Sequence, residues 1–539
     1  MTTLLEPLRL ERPATPAPQP RRVLHDWLLV GLLIAVYAVL QSAFVRLPTL
    51  SDQLHYFVDA ATLPHISVPP HQTLRIGLTI PVWVMIKAFN YSEAAYYAVP
   101  YLSAVGLITA TYWLGRLLDT RATAVIAGIL VFANPIVLDD SSQLLPDIPA
   151  AALFTGGITL LIWQWQRTGN LRRLDRADRL VLIAVGVLLG WSYLIREFIV
   201  LWFPVALLVA WVLQLPRSWW RLVAVGTAAM FTFELLWGLV FFGNPFARII
   251  AALNQPPSQS WRVVERDELI SAGQIPDTHL EMLTAMPTHL VASDVGWIMA
   301  ALAGVLLAGA LLLRSPRLRL LALWVVVPMV AMLAVIQVAW LFDNRILRAE
   351  KLRYWVPIIP PLVVGGVATA MTLGRRALGE RGRLAGIVVA GAVALSSVAM
   401  TGAELDRKPG FTRTGRAEFL EFREWAASSG QTCGVIWTDD DHWRASSRWV
   451  PMYLRSYWGR PIWDGDLKYL NEGDQWVDVE DLETGALIRA RTSLERRNLE
   501  EQDVPSYLQD PPTSWQTLAR TERDRVRVVA VGQSTCAAP

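Results

Sequence analysis

LRIGLTIPVWVMIKAF, residues 74–89, is the stretch that decides how this chain crosses a membrane. It is apolar but short, it begins beside Arg75, and Pro81 interrupts it. If this segment crossed the membrane, every later loop would lie on the opposite side. The positions of the arginines therefore decide between a spanning helix and an interfacial one.

Eleven other apolar blocks run through the first three quarters of the chain, and each is long enough, at roughly 17–24 residues, to cross a bilayer. Of the 539 residues, 53% are hydrophobic and 18% are charged, whereas soluble domains carry about 25% charged residues. The sequence therefore predicts a polytopic membrane protein. The blocks lie near 26–45, 94–115, 122–138, 148–166, 180–195, 198–214, 222–242, 295–313, 320–342, 354–373 and 384–401.

The arginine-rich loops share one side of the membrane only if residues 74–89 do not span it. Loops that carry an excess of Lys and Arg ordinarily face the cytoplasm. We therefore predict an amphipathic or re-entrant interfacial helix over 74–89, about eleven transmembrane helices and a cytoplasmic N-terminus. The expected location is the inner or plasma membrane. The loop arginines are Arg116, Arg121, Arg167, Arg172, Arg173, Arg176, Arg179, Arg217, Arg221, Arg314, Arg317, Arg319, Arg375, Arg376, Arg381 and Arg383.

This topology divides the chain into three parts. We expect a disordered cytoplasmic tail over 1–25, a transmembrane domain over 26–401 and a soluble extracytoplasmic domain over 402–539. Helix-like and strand-like segments alternate in the last part, which predicts a small α/β domain. The outer loops, on the same side as this domain, are 46–93, 139–147, 243–294 and 343–353.

Both cysteines of the chain, Cys433 and Cys536, fall in the C-terminal domain. An exported compartment permits disulfides, so we predict that these two residues form one. The net charge of +3 is too small to indicate a nucleic-acid partner.

Residues with reactive side chains gather in the predicted outer loops rather than inside the membrane. Within the predicted spans the ionisable residue is Glu234, which we expect to be hydrogen-bonded between helices. A transporter ordinarily places polar groups near the midplane, often in repeated halves, so an enzyme at the lipid–water boundary fits better. The loop residues are Asp52, His55, Asp139, Asp140, Asp147, Arg196, Glu197, Arg345, Arg348, Lys351 and Arg353.

The order of four segments resembles the GT-C glycosyltransferases, specifically the branch of protein O-mannosyltransferases and aminoarabinose transferases that use polyprenyl-phosphate-linked sugars. The resemblance covers about residues 26–401. Many members carry an Asp-Glu pair in the first outer loop, whereas here Asp52 is followed by Gln53. The segments are SDQLHYFVDA (51–60), PPHQTLRIGLTIPVWVMIKAFN (69–90), LLPDIPAAALF (144–154) and RYWVPIIPPL (353–362).

The resemblance implies transfer of a sugar from a polyprenyl phosphate to a hydroxyl group on the outer face, by a single inverting displacement. A hydroxyl is a poor nucleophile until a base takes its proton. We assign that role to Asp52, by analogy with the single base carboxylate of inverting glycosidases. Asp147 is the second catalytic candidate, which would orient the acceptor or support Asp52.

The departing polyprenyl phosphate needs its negative charge stabilised, and guanidinium groups bind phosphate in bidentate geometry. Arg353 is the first candidate for that contact, followed by Lys351 and Arg196. His55, Asp139 and Asp140 are further substrate-binding candidates. The side chains of Asp52, His55, Asp139 and Asp140 could also hold a divalent metal. No tight spacing of these residues supports such a site, and we expect that no cofactor is required.

Structural interpretations exist for each of these residues. Asp52 could cap a helix, Asp147 could complement a helix dipole, and Arg353 could extend to the membrane interface. Two other functions also remain open, a lipid-linked glycan flippase and a noncatalytic scaffold of envelope assembly. The sequence does not identify the sugar, nor whether the acceptor is a glycan, a protein or a lipid.

Overall fold

A computed structural model gives the architecture of the chain. The part before residue 408 is helical, and a small sheet follows it. The structure describes residues 20–48, 52–64, 74–169, 174–253, 284, 288, 295–343, 352–407, 411–438, 448–472, 475–490, 505–532 and 536.

Seven helices within these ranges are long and apolar enough to cross a membrane, and four shorter apolar helices accompany them. The long ones are α1 (Pro20–Ala43), α4 (Glu93–Leu118), α7 (Asp147–Thr168), α8 (Arg176–Ile195), α10 (Arg217–Phe242), α13 (Pro316–Asp343) and α14 (Ile359–Arg407). The shorter ones are α3 (Ile76–Phe89), α5 (Arg121–Phe132), the 3₁₀ turn Glu197–Trp202 with α9 (Phe203–Val212), and α12 (Gly296–Leu312). Three further short helices, α2 (Asp52–Thr62), α6 (Pro135–Asp140) and α11 (Ala247–Leu253), lie between them.

The polytopic helical class is confirmed, but four predicted spans differ from separate continuous helices. The block 122–138 divides because the side chain of Asn134 caps the short α6 by accepting a hydrogen bond from the Ile136 amide. The block 198–214 begins as a 3₁₀ turn. The last two blocks join in α14, which is broken at Leu378 and Gly379, where Gly379 has a φ of 61°. Of the described helices, seven are long and apolar enough to cross a membrane; α14 covers two of the predicted blocks, and the shorter α5, α9 and α12 lie over three others.

Helix α3 occupies the segment on which the topology depends. It has 14 residues with Pro81 inside, and its first half is buried against the end of α8. The Trp191 indole donates to the Gly77 carbonyl at 2.9 Å. A Cβ atom at Gly77 would lie 2.7 Å from the Ile195 amide nitrogen, so only glycine fits this contact. The interfacial position of α3 remains a prediction.

Ion pairs form at both ends of the helices. At one end, Asp26 near the start of α1 pairs with Arg116 near the end of α4 at 3.3 Å. At the other end, Arg46 follows α1 and pairs with Asp139, and Glu93 begins α4. The outer loops of the predicted topology that carry Asp139 and Glu93 therefore lie at the helix ends opposite Arg116.

The C-terminal domain has a five-stranded mixed sheet in the order β2-β1-β5-β7-β6. Strand β1 is parallel to β2 and β5, whereas β7 is antiparallel to β5 and β6. With helix α15 (Phe411–Ala427) this is the small α/β domain that the sequence predicts. The strands are β1 (Val435–Thr438), β2 (Asp466–Tyr469), β3 (Asn471–Glu472), β4 (Gln475–Trp476), β5 (Gly485–Ala490), β6 (Thr517–Arg520) and β7 (Val526–Val531), with β3 and β4 forming a separate pair.

A buried carboxylate fastens this domain to the membrane helices. Glu93 is fully buried and pairs with Arg416 and Arg423, each at 2.8 Å. The Tyr453 hydroxyl donates to the same carboxylate at 3.0 Å. Since Glu93 begins α4, the domain lies at the helix ends that carry the acidic loops.

Cys433 and Cys536, which we predict to pair, are joined by a disulfide that spans 103 positions. Replacing both with serine should lower the free energy of unfolding of the domain by about 2–4 kcal/mol, because the unfolded chain regains conformational freedom. Thermal unfolding of the purified protein without reductant measures this loss. Wild type treated with reductant is the matched control and should show the same loss. Thiol labelling of both cysteines in untreated wild type would contradict the bond.

Candidate active site

Two arginines from distant parts of the chain converge on the buried carboxylate of Asp147. Asp147 begins α7 and is 4% exposed. Arg196 directly follows α8, and its Nε lies 3.2 Å from Asp147 Oδ1. Arg353 lies in the 3₁₀ turn Leu352–Ile358, and its Nε lies 3.8 Å from Asp147 Oδ2. We call these three residues the Asp147 cluster; two cations and one anion leave it with a formal charge of about +1.

The Asp147 cluster has unused hydrogen-bonding capacity. Asp147 Oδ2, Arg196 Nε and Arg353 Nε are buried without a hydrogen-bond partner among the described residues. Buried polar atoms ordinarily have such partners. An anionic ligand with several oxygens could therefore bind the two guanidinium groups.

Aromatic side chains line the cleft beside this cluster. The guanidinium of Arg196 lies 4.8 Å from the ring centre of Tyr354 and 5.2 Å from that of Phe198. Arg353 lies 5.4 Å from the Tyr354 ring centre. Trp202 is buried in the same lining. Contacts of this kind stabilise a cation away from water.

A second acidic pair lies next to the cluster at the end of α6. Asp139 pairs with Arg46, while the Asp140 Oδ2 is buried with no hydrogen-bond partner in the described part of the chain. Burial raises the pKa of Asp140 to about 8. The carboxylates of Asp139 and Asp147 raise this pKa further, and Arg353 and Arg46 oppose them. At neutral pH Asp140 is mostly protonated and adds little negative charge to the site.

The helix that carries Asp52 lies beside the cluster. Asp52 begins α2 and is partly exposed; it forms no ion pair with the residues described here. The next residue, Gln53, donates to the Gln143 side chain at 2.6 Å. One turn further, burial raises the pKa of Tyr56 to about 12, and the charges of Asp52 and Arg196 both act on its hydroxyl. The Tyr56 hydroxyl thus lies within electrostatic reach of both groups.

Beyond Tyr56 a buried network of ion pairs continues toward α10. Glu197 pairs with Arg75 and with Arg248, both at 3.1 Å. Arg248, on α11, also pairs with Glu234 at 2.7 Å. Glu234 therefore has a structural partner on a neighbouring helix, as its position inside α10 predicts.

The structure brings together most of the residues that the sequence singled out. Asp147, Arg196 and Arg353 are in contact, Asp139 and Asp140 lie next to them, and Asp52 and the partly exposed His55 occupy the adjacent α2. Lys351, Arg345 and Arg348 lie outside the described residues. No group of three or more metal-ligating side chains lies together in the described ranges. Sequence reasoning missed Arg46, Tyr56, Arg75, Arg248 and Tyr354 as neighbours of the site, although Tyr354 directly follows Arg353 in the RYW motif.

Asp140 should make the stability of the protein depend on pH. Its pKa is about 8 in the fold and about 3.9 in an unfolded chain. The stabilisation from its protonated form is therefore complete below about pH 4 and is lost progressively up to about pH 8. Asp140→Asn cannot ionise, so the difference between its melting temperature and that of wild type should increase as the pH rises from 5 to about 8. Fluorescence-monitored thermal unfolding in detergent measures both proteins.

Asp464→Asn is the control for this comparison, because Asp464 is an exposed carboxylate in the C-terminal domain. Its melting temperature should follow that of wild type at every pH. A constant difference between Asp140→Asn and wild type from pH 5 to pH 9 would contradict the raised pKa.

Comparison with known proteins gives no match to any protein-family model or curated protein. Solved structures do match. ArnT from Cupriavidus metallidurans in the apo state superposes with a TM-score of 0.53 at 16% sequence identity, covering 95% of this chain and 99% of that one. ArnT bound to undecaprenyl phosphate gives a TM-score of 0.53 at 17% identity with the same coverage.

An archaeal oligosaccharyltransferase, AglB from Archaeoglobus fulgidus, superposes with a TM-score of 0.47 at 14% identity, over 83% of this chain and 65% of AglB. The superposition on ArnT extends through the membrane helices and the C-terminal domain. The chain therefore has the fold of ArnT over nearly its whole length, which confirms the GT-C-like fold that its motifs predict.

Proposed function

We propose that this protein is a membrane glycosyltransferase that transfers a sugar from a polyprenyl phosphate to a hydroxyl acceptor. The Asp147 cluster is the observation that carries the proposal. Two guanidinium groups share one buried carboxylate, so a phosphate would balance the remaining positive charge and accept hydrogen bonds from both arginines. The aromatic and aliphatic lining beside it suits an apolar lipid chain.

The comparison with ArnT supports a lipid-linked donor. ArnT has been solved with undecaprenyl phosphate bound, on the fold that this chain shares over 95% of its length. Undecaprenyl phosphate combines a phosphate with a long apolar chain, and the Asp147 cluster beside an aromatic cleft is complementary to both. The sugar and the acceptor remain open, with a glycan, a protein or a lipid as candidates.

In the proposed reaction Asp52 removes the proton of the acceptor hydroxyl as its oxygen attacks the anomeric carbon of the sugar. The bond between that carbon and the phosphate oxygen breaks, and polyprenyl phosphate departs with the electron pair. Arg196 and Arg353 stabilise the charge that develops on the departing phosphate. A single displacement inverts the anomeric configuration and forms no covalent enzyme intermediate.

We place this chemistry on the outer face of the membrane. Asp52, Asp139 and Asp147 lie at the helix ends opposite Asp26 and Arg116, and arginine-rich loops ordinarily face the cytoplasm. The C-terminal domain, docked through the buried carboxylate that begins α4, would face the periplasm or the cell exterior.

Asp52→Asn should lower kcat by about 10²- to 10⁴-fold, because the amide cannot accept the proton of the acceptor hydroxyl. Donor binding should remain, since the donor phosphate contacts Arg196 and Arg353 instead. Transfer from a purified radiolabelled polyprenyl-phosphate sugar measures kcat, and binding of polyprenyl phosphate measures donor affinity. Asp59→Asn, two turns along the same helix, is the matched control and should retain wild-type kcat. Full activity of Asp52→Asn would reject Asp52 as the base.

Arg196→Gln and Arg353→Gln should each weaken binding of polyprenyl phosphate by about 10- to 100-fold, because each removes a charged hydrogen-bond donor. The double variant should lose less affinity for polyprenyl phosphate than the product of the two single losses, since both arginines act on one anion. Arg317→Gln is the control; that arginine contacts the Leu118 carbonyl at the opposite helix ends. Unchanged affinity in both single variants would reject the Asp147 cluster as the phosphate site.

The same assays separate the two alternative functions. A flippase would move the lipid-linked glycan across a vesicle membrane without forming a glycosylated product. A noncatalytic scaffold would tolerate Asp52→Asn and show no transfer from the donor. Formation of a glycosylated acceptor that depends on Asp52 is the result expected of a transferase alone.

A further inference from the structure

One buried junction next to the Asp147 cluster has no part in the chemistry proposed above. Arg75 is 5% exposed and directly precedes α3. Its Nη1 donates to the Tyr56 hydroxyl, and its Nε donates to both oxygens of Glu197 at 3.1 and 3.3 Å. One guanidinium therefore connects α2, the start of α3 and the turn after α8.

We propose that Arg75 is a positioning residue that holds Asp52 in place relative to the donor-binding arginine Arg196. Tyr56 lies four residues after Asp52 and so shares its face of α2. Glu197 directly follows Arg196 in the chain. The two partners of Arg75 therefore lie next to the two proposed functional groups: Tyr56 is one helical turn from Asp52, and Glu197 is one peptide bond from Arg196. This inference rests on the proposed function, since it assigns Arg75 a task in that reaction.

Contacts of its ion-pair partner and of its backbone hold Arg75 in place. Glu197 is held from a second side by Arg248, whose other nitrogen pairs with Glu234 in α10. The backbone of α3 two residues after Arg75 is pressed against the end of α8, where Gly77 leaves no room for a side chain. Because its backbone and its ion pair with Glu197 are both held, the Arg75 guanidinium keeps the Tyr56 hydroxyl in a fixed position.

Helix α2 has other anchors that keep it folded when this contact is removed. Gln53 is hydrogen-bonded to Gln143 at 2.6 Å. The Phe57 ring packs against Tyr91 with centroids 4.6 Å apart and against Tyr96 at 5.5 Å. Loss of the Tyr56 hydroxyl should therefore change the placement of Asp52 more than the stability of the helix.

Tyr56→Phe is the sharpest test, because it removes the acceptor of the Arg75 hydrogen bond and leaves the ring packing and both ion pairs of Glu197 in place. We expect kcat to fall by about 10- to 100-fold, since a misplacement of about 1 Å can cost that much. The KM for the polyprenyl-phosphate sugar should stay within about twofold, because Arg196 and Arg353 are untouched. Arg75→Lys keeps the positive charge but lacks the planar guanidinium that contacts Tyr56 and Glu197 at the same time. This variant should therefore show the same loss of kcat.

Tyr91→Phe is the matched control. Tyr91 is also packed on Phe57 of α2, but its hydroxyl donates to the Arg448 carbonyl of the C-terminal domain at 3.1 Å. This variant should retain wild-type kcat. Thermal unfolding of each variant, measured alongside, should show all three within a few degrees of wild type.

A double-mutant cycle then separates positioning from a merely structural role. If Arg75 acts through Asp52, Tyr56→Phe should cause little further loss of kcat in an Asp52→Asn background, measured in single turnovers with radiolabelled donor. An equal loss in both backgrounds would overturn the inference. A raised donor KM with unchanged kcat would also overturn it, because it would make Arg75 part of the donor site. Full activity of Asp52→Asn by itself would instead reject the proposed function, so the two failures are distinguishable.

Discussion

The ion pairs of Asp147 are the constraint on which the candidate site depends. A charged group removed from water costs several kcal/mol unless a partner of opposite charge lies close to it. Asp147 and Arg196 are both more than nine-tenths buried, so each needs the other. Because Asp147 begins α7, Arg196 follows α8 and Arg353 precedes α14, their pairing brings three helix ends to one point. The site is therefore part of what determines how these helices meet.

The charge of this meeting point explains why it suits an anion. Two guanidinium groups outnumber one carboxylate, and Asp140, whose pKa is raised to about 8 by burial, supplies little negative charge at neutral pH. Asp139 is compensated separately by Arg46. The excess positive charge, which the core of a soluble protein would not contain, lies in a cleft lined by aromatic side chains. A phosphate would relieve it, which is why the proposed donor fits the site better than a neutral sugar alone.

The parts of the site that follow from the sequence are those fixed by local order along the chain. Asp147 and Arg353 stand at the starts of apolar blocks, and Arg196 stands at the end of one, so the arginine distribution alone places them at the same helix ends. The contact of Arg75 with Tyr56 and the pairing of Arg248 with Glu234 depend instead on the placement of α2 and α11, two short helices between the spans. Loop geometry of this kind has no periodicity in the sequence, and no pattern of residues predicted it.

Gln53 stands where many members of the family that the sequence resembles carry glutamate, and the structure gives a physical account of this residue. Its side-chain amide donates to Gln143 at 2.6 Å, in the loop between Asp140 and Asp147. A carboxylate here could not donate that hydrogen bond. Gln53 instead ties α2 to the loop through a neutral contact. The side chain that departs from the family pattern thus fixes the start of α2, next to Asp52.

The C-terminal domain also contacts residues that adjoin α2. The Trp449 indole donates to the Pro48 carbonyl at 3.2 Å, four residues before Asp52. Tyr91, which packs on Phe57 of α2, donates to the Arg448 carbonyl. Glu93 holds the domain at these helix ends by ion pairs that a fully buried carboxylate cannot exchange for water. In the proposed reaction, an acceptor that approached Asp52 past Trp449 and Tyr91 would therefore pass beside this domain.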